Sequence, residues 1–167
     1  EEYQRQVQEK QSREYAEELQ RFVLLLEDDL MNFRPLSYKK LSKSVEELRI
    51  LFYEKFPEIP ILARMQTLAD YIIDEQETLL DREYDVLERG IVESKLDAMY
   101  ETKNLFVLYN RFLRESGRTE ISEFAEHIPY EDVYPMLYLR YLLSGGMARS
   151  GIKHLIVDEM QDYSYVQ

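Results

Sequence analysis

Apolar residues recur at helical spacing along almost the whole chain, and this period demands a mainly α-helical fold. Tyr3, Val7, Tyr15, Leu19, Phe22, Val23, Leu26 and Leu30 trace one stripe, which predicts a single long helix from Glu1 to about Phe33, ended by Pro35. Ser44 and Glu47 have the spacing of a capping box, in which hydroxyl and carboxylate satisfy each other's backbone N–H groups. A helix through Val45, Leu48, Leu51, Phe52 and Phe56 should follow, stopped by Pro57 and Pro60. A second long helical stretch begins at Ile61 and runs through Leu80, with Gly90 a kink or stop and Gly117 the C-terminal cap. Ile121 to Ala125 reads as a short helix. Tyr130 opens the last one, with Glu131 and Asp132 favourably placed in its first turn. Pro135 is expected to be tolerated only if it also lies in that turn, and Gly145-Gly146 ends the helix. The expected fold is a bundle of about five or six helices, two of them long, ending in one short β-strand.

Charge and composition exclude several roles. The chain has no Cys, so disulfides, thiolate metal sites and Cys nucleophiles are ruled out. His127 and His154 lie far apart, which makes a structural zinc site improbable. The net charge of -12 opposes binding to nucleic acid, which needs Lys and Arg to displace counterions. The charge is uneven. Asp70 to Glu101 holds eleven acids against three bases, whereas Arg34 to Arg64 holds seven bases against four acids. The acidic stretch is either a set of solvated helix faces or a surface that meets a basic partner or displaces nucleic acid. The 14 Tyr mostly sit on apolar stripes and read as core and core-edge residues. No apolar run is long enough for a membrane span and no leader is visible, so a soluble, cytoplasmic protein without membrane contact is expected. The chain opens on Glu1 in mid-pattern, as a piece of a longer protein would.

The period changes at the end. Ile152 to Val157 is a short apolar run with β-branched content, the first segment that reads as a strand (Lys153–Val157), and Asp158-Glu159 and Gln161-Asp162 follow it. A buried strand delivers its last side chains to the sheet edge where open α/β folds bind ligands. An Asp there can hold Mg²⁺, usually through water. A Glu beside it can orient or deprotonate an attacking water, and a nearby Gln can sense the γ-phosphate, which is most of what phosphoryl transfer requires. Leu155 to Ser164, Leu-Ile-Val-Asp-Glu-Met-Gln-Asp-Tyr-Ser, resembles motif II, the Walker B segment, of superfamily 1 helicases of the UvrD/Rep type. The lead-in from Tyr130 is similar to that family as well. The resemblance implies Asp158 as the Mg²⁺ and cofactor-binding carboxylate and Glu159 as the catalytic base. It implies Gln161 as the γ-phosphate contact that couples to domain movement, and Asp162 as the link to neighbouring motifs. His154 precedes the apolar Leu155-Ile156-Val157 and reads as structural.

The sequence departs from that family in one decisive respect. It has no Gly-x-x-x-x-Gly-Lys-Ser/Thr, the loop that cradles phosphates. ATP and Mg²⁺ are therefore expected in an intact parent, and neither in this piece. The order of elements implies a helical insertion over residues 1–129, then over 130–167 a helix and the motif II strand of a truncated RecA-like domain. In UvrD/Rep motors the insertion touches DNA and should be basic. An acidic one resembles the HelD branch, whose helical arm enters bacterial RNA polymerase. The parent would be an ATP hydrolase that remodels nucleic acid or polymerase complexes. Two alternatives stand beside it: a true DNA helicase or repair motor, and a self-standing acidic interaction module whose terminal Asp-Glu is incidental. A strand without its sheet also has an exposed edge, so a dimer through the C-terminus is a further expectation.

Overall fold

A computed structural model describes residues 2–146 and 163–166, and these are mainly helical. Seven α-helices occur among the described residues: α1 (Glu2–Lys10), α2 (Arg13–Asp29), α3 (Val45–Ile50), α4 (Ile61–Leu80), α5 (Val86–Asp97), α6 (Leu105–Glu115) and α7 (Tyr130–Ser144). No helix among the described residues is long and apolar enough to cross a membrane. The chain divides into two compact units, one of Glu1–Leu26 and Asn104–Gln167, the other of Glu27–Lys103.

In the first unit the expected opening helix is two helices. The break falls at Gln11-Ser12, where the Ser12 hydroxyl accepts the Tyr15 N–H at 3.1 Å and so caps α2. The stripe of Tyr15, Leu19, Phe22 and Leu26 is buried as its spacing predicts. Asn104 caps α6 by accepting from the Phe106 and Val107 N–H groups. Gly117 ends α6 as expected, at φ 73, where glycine has no steric penalty. The Gly117 N–H reaches the Arg114 carbonyl at 3.1 Å and the Arg118 N–H reaches that of Leu113 at 2.7 Å, the paired bonds of a Schellman motif. The short helix expected at Ile121 to Ala125 is absent. Ser122 turns the chain there instead, its carbonyl accepting from the Ala125 N–H and its hydroxyl from the Phe124 N–H. Pro135 lies in the second turn of α7 rather than the first, so the Glu131 carbonyl gets no i+4 donor. Its ring is buried, and that packing stands against the lost hydrogen bond. The expected strand Lys153–Val157 lies outside the described residues.

The second unit holds an antiparallel hairpin that the helical period does not predict, so the first strand lies there and not at the end of the chain. β1 (Leu36–Tyr38) pairs with β2 (Leu41–Lys43) in the register Leu36 to Lys43 and Tyr38 to Leu41. Leu36 and Leu41 point into the core, while Lys39 takes the left-handed φ of 51 in the turn. Ser44 and Glu47 form both bonds of the predicted capping box, and α3 starts there. The helix widens into a π-helical stretch at Leu51–Lys55, closed by a Phe56 N–H bond to the Leu51 carbonyl. α4 stops at Asp81, which adopts a left-handed φ of 49. α5 then restarts behind a second capping box, Asp85 with Glu88. Gly90 is neither kink nor stop but sits inside α5.

Candidate functional site

The four residues of the sequence-derived site, Asp158, Glu159, Gln161 and Asp162, lie outside the described residues, as does His154. The structure describes what flanks them. Upstream is α7. Downstream, the Tyr165 N–H points to the Gln11 carbonyl at 3.4 Å, at the break between α1 and α2, and Val166 is buried in the first unit.

The first turn of α7 anchors a buried polar chain. Asp132, 2% exposed, accepts from Lys10 Nζ at 2.6 Å and from the Tyr109 hydroxyl at 2.6 Å on the same oxygen, Oδ1. Tyr109 in turn shares a 2.7 Å hydrogen bond with the Tyr15 hydroxyl. Burial pushes the Tyr109 hydroxyl far above the usual phenol range, and the neighbouring Tyr15 phenol and the Asp132 carboxylate push it the same way. Burial likewise raises Tyr15, against its hydrogen bond with Tyr109. Both phenols therefore remain protonated donors and cannot serve as general bases near neutral pH. The chain Lys10, Asp132, Tyr109 and Tyr15 joins α1, α7, α6 and α2, so its chemistry is that of a clamp. Asp132 was legible only as a favourable charge at a helix start. Its partners at the buried positions Pro135, Met136, Leu139 and Leu143 put it on the inward face, and that spacing is the signal for burial.

Beside this clamp lies a cleft of about 500 Å³ lined by Gln6, Glu9, Lys10, Arg118, Ser122 and Asp132 among others. Its cations are already engaged. Arg118 bonds Glu9 at 3.0 Å and Glu18 at 2.6 Å, and stacks 4.6 Å from the Tyr15 ring. Among the described residues no group of three or more His, Asp and Glu side chains is placed to hold a metal.

The acidic stretch Asp70–Glu101 is partly neutralised within the second unit. Arg89 reaches Glu77 at 3.2 Å, Asp70 at 3.5 Å and Asp74 at 3.8 Å. Lys43 pairs with Glu75 at 2.6 Å. Buried Glu88 takes both carboxylate oxygens to Arg82 at 2.7 Å and also binds Lys39. Arg82, then Lys39, then the Asp85 N–H hold the Glu88 carboxyl down at about 2. Two lysines of the basic segment are therefore spent on acids of the acidic one. Arg64, counted with the basic segment, does not face solvent at all. It is 2% exposed and donates to the carbonyls of Ile59 at 2.9 Å, Pro57 at 3.1 Å and Phe52 at 3.3 Å, with Glu27 at 3.0 Å. Phe52 belongs to the last turn of the π-helical stretch, whose carbonyls a helix end leaves without partners, and Pro57 and Ile59 lie in the segment after it.

No family model, curated protein or solved structure matches this chain.

Proposed function

We propose that this chain is a piece of a UvrD-like motor ATPase, carrying a helical insertion and the Mg-ATP strand of the first RecA-like domain. The observation that carries the reading is the run Leu-Ile-Val-Asp-Glu-Met-Gln-Asp at 155–162. In it Asp158 would hold Mg²⁺ and Glu159 would activate water. Gln161 would contact the γ-phosphate, and Asp162 would tie the segment to its neighbours. A second feature supports it. α7, which leads into this run, is apolar on two sides. Its inner stripe of Pro135, Met136, Leu139 and Leu143 is buried, while Tyr130, Leu137 and Tyr141 on the opposite side are each 50–60% exposed. A helix that is apolar all round belongs between two layers. A helix preceding a sheet strand in an α/β domain packs one face on the sheet, and here the inner face is already taken by the first unit.

The parent would hydrolyse ATP to remodel nucleic acid or a polymerase complex. Bacterial RNA polymerase is the partner that an acidic insertion favours. The internal ion pairs reduce the free charge of residues 70–101, so any contact there rests on the acids left outside those pairs, such as Asp81 and Glu83, both exposed. This chain alone lacks the phosphate loop and should bind no nucleotide. Calorimetry with Mg-ATP tests that directly, and stoichiometric binding would sink it. In a protein that does carry the loop upstream, Glu159→Gln should abolish ATP turnover while leaving nucleotide binding intact. Co-purification with core RNA polymerase, against salt-sensitive binding to forked DNA, separates the polymerase reading from that of a DNA helicase.

A further inference from the structure

A small cleft in the second unit has no part in the motor reading and carries the opposite charge to the chain as a whole. It measures about 260 Å³ and is lined by Lys39, Lys40, Leu80, Arg82 and Tyr84. Three of these side chains are cations and none is an acid, in a chain of net charge -12. Two of the cations are fixed from behind. Buried Glu88 accepts from Lys39 Nζ on Oε1 and from Arg82 Nη2 on both oxygens, at 2.7 Å each. Sharing Oε1 sets the ammonium and the guanidinium side by side. Neither is used up. Arg82 spends one nitrogen of its fork on Glu88, and the Lys39 and Arg82 side chains remain 53% and 50% exposed. Lys40 is exposed and enters no ion pair among the described residues.

The hairpin does not need these lysines. Lys39 takes its left-handed φ of 51 in the β1–β2 turn, where Gly or Asn costs less, and a second lysine follows it. Two adjacent like charges at a strained φ work against the turn, and such a departure marks a position kept for something besides the fold. The charge balance names the ligand. Lys39, Lys40 and Arg82 bring three positive charges and Glu88 one negative, which leaves an excess of two. A phosphomonoester carries about -1.5 to -2 at pH 7 and offers three acceptor oxygens, which suit an arginine fork. Leu80 and Tyr84 supply apolar wall for the carbon that bears the phosphate. Asp81 and Glu83 flank Arg82 in the chain and are exposed, so they oppose a long polyanion such as nucleic acid.

We infer that the cleft between the β1–β2 turn and the α4–α5 connection binds one phosphomonoester dianion, free or carried on a side chain of a partner protein. Titration calorimetry of this chain at constant ionic strength tests it with two probes, inorganic phosphate and a short neutral peptide bearing one phosphoserine. Saturable one-to-one binding of both is expected. A peptide that binds more than about tenfold tighter than phosphate identifies a phosphorylated protein as the source, and equal affinities identify a free phosphate. Binding should strengthen as pH rises through about 6, where the second phosphate proton leaves. Lys40→Ala should weaken binding by about tenfold, the loss of one charge-assisted hydrogen bond, and leave the melting temperature unchanged because the side chain is exposed. Lys39→Gly should weaken binding by a similar factor. Glycine takes the left-handed φ without cost, so that loss would not be a loss of the turn. Absence of saturable binding by either probe overturns the proposal. So does binding that either substitution leaves unchanged, which would place the anion elsewhere, and so does equal affinity for the unphosphorylated peptide.

Discussion

Glu88 is buried in a protein with a large excess of acid, yet it stays charged because two cations and an N–H group surround it. Its carboxyl is held at about 2, against an ordinary 4.5. A group with a depressed folded-state pKa stabilises the fold above its unfolded pKa, and that contribution is lost as pH falls through the folded one. Glu88→Gln keeps a capping-box side chain at the third helical position but removes the charge. The wild type should therefore have the higher urea midpoint at pH 7, and the gap between the two proteins should close between pH 4.5 and about 2. A gap constant over that range would mean that packing, and not the charge, distinguishes Gln from Glu. Arg64 makes the same point with the opposite sign. Its guanidinium fills one carbonyl of the helical stretch and two of the segment after it, so its place in a run of bases gave no hint of its burial. Tyr100 is a third such residue. Its hydroxyl accepts the Met65 N–H at 3.2 Å and donates to the Ile61 carbonyl, entering the ladder of α4, and burial pushes it up to about 12.

Glycines separate the helical elements by conformation rather than by composition. Gly90 lies inside α5, and a Cβ added there meets nothing within 4 Å. Gly90→Ala should stabilise the protein by about 0.5–1 kcal/mol, the helix-interior difference between the two residues. Gly117 is equally open but sits at φ 73. Gly117→Ala should cost about 1 kcal/mol or more, because a Cβ at left-handed φ crowds the backbone. Opposite shifts of the urea midpoint at these two positions are the expected outcome, and equal shifts would contradict the assignment of caps. These two residues also show what was legible. Local chemistry with short range could be read directly: the Ser44 and Glu47 box, the Gly117 cap, the Gly145 stop and the inner stripe of α4. The breaks at Ser12 and Asp81 were missed because neither Pro nor Gly marks them. Each depends on one side chain or one left-handed residue within a continuing apolar period. The hairpin was missed because its turn is Lys39-Lys40, with no Gly or Asn to signal it. The buried chain from Lys10 through Asp132 and Tyr109 to Tyr15 joins residues up to 122 positions apart, and no local pattern encodes such a meeting.

At the scale of the molecule, α7 is the element that the described residues do not fully account for. Its inner face is consumed by the first unit, and its outer stripe of Tyr130, Leu137 and Tyr141 presents apolar surface with nothing charged at its centre. In a protein of net charge -12, such a stripe is not there for solubility. The motor reading supplies a sheet for it to cover, and this can be separated from a stripe with no role. Leu137→Lys replaces a half-exposed leucine by a charge. In this chain alone it should shift stability by no more than about 0.5 kcal/mol, as surface substitutions do. It should also reduce binding of an apolar dye such as ANS. In a protein carrying the whole RecA-like domain, the same lysine would be forced beneath a sheet, where an unpaired polar group costs several kcal/mol. Urea denaturation of both proteins measures the two shifts. A large loss in this chain would mean that Leu137 already packs against something within it. A negligible loss in both would leave the outer face of α7 without a sheet, and with it would fall the support that α7 lends to the motor reading.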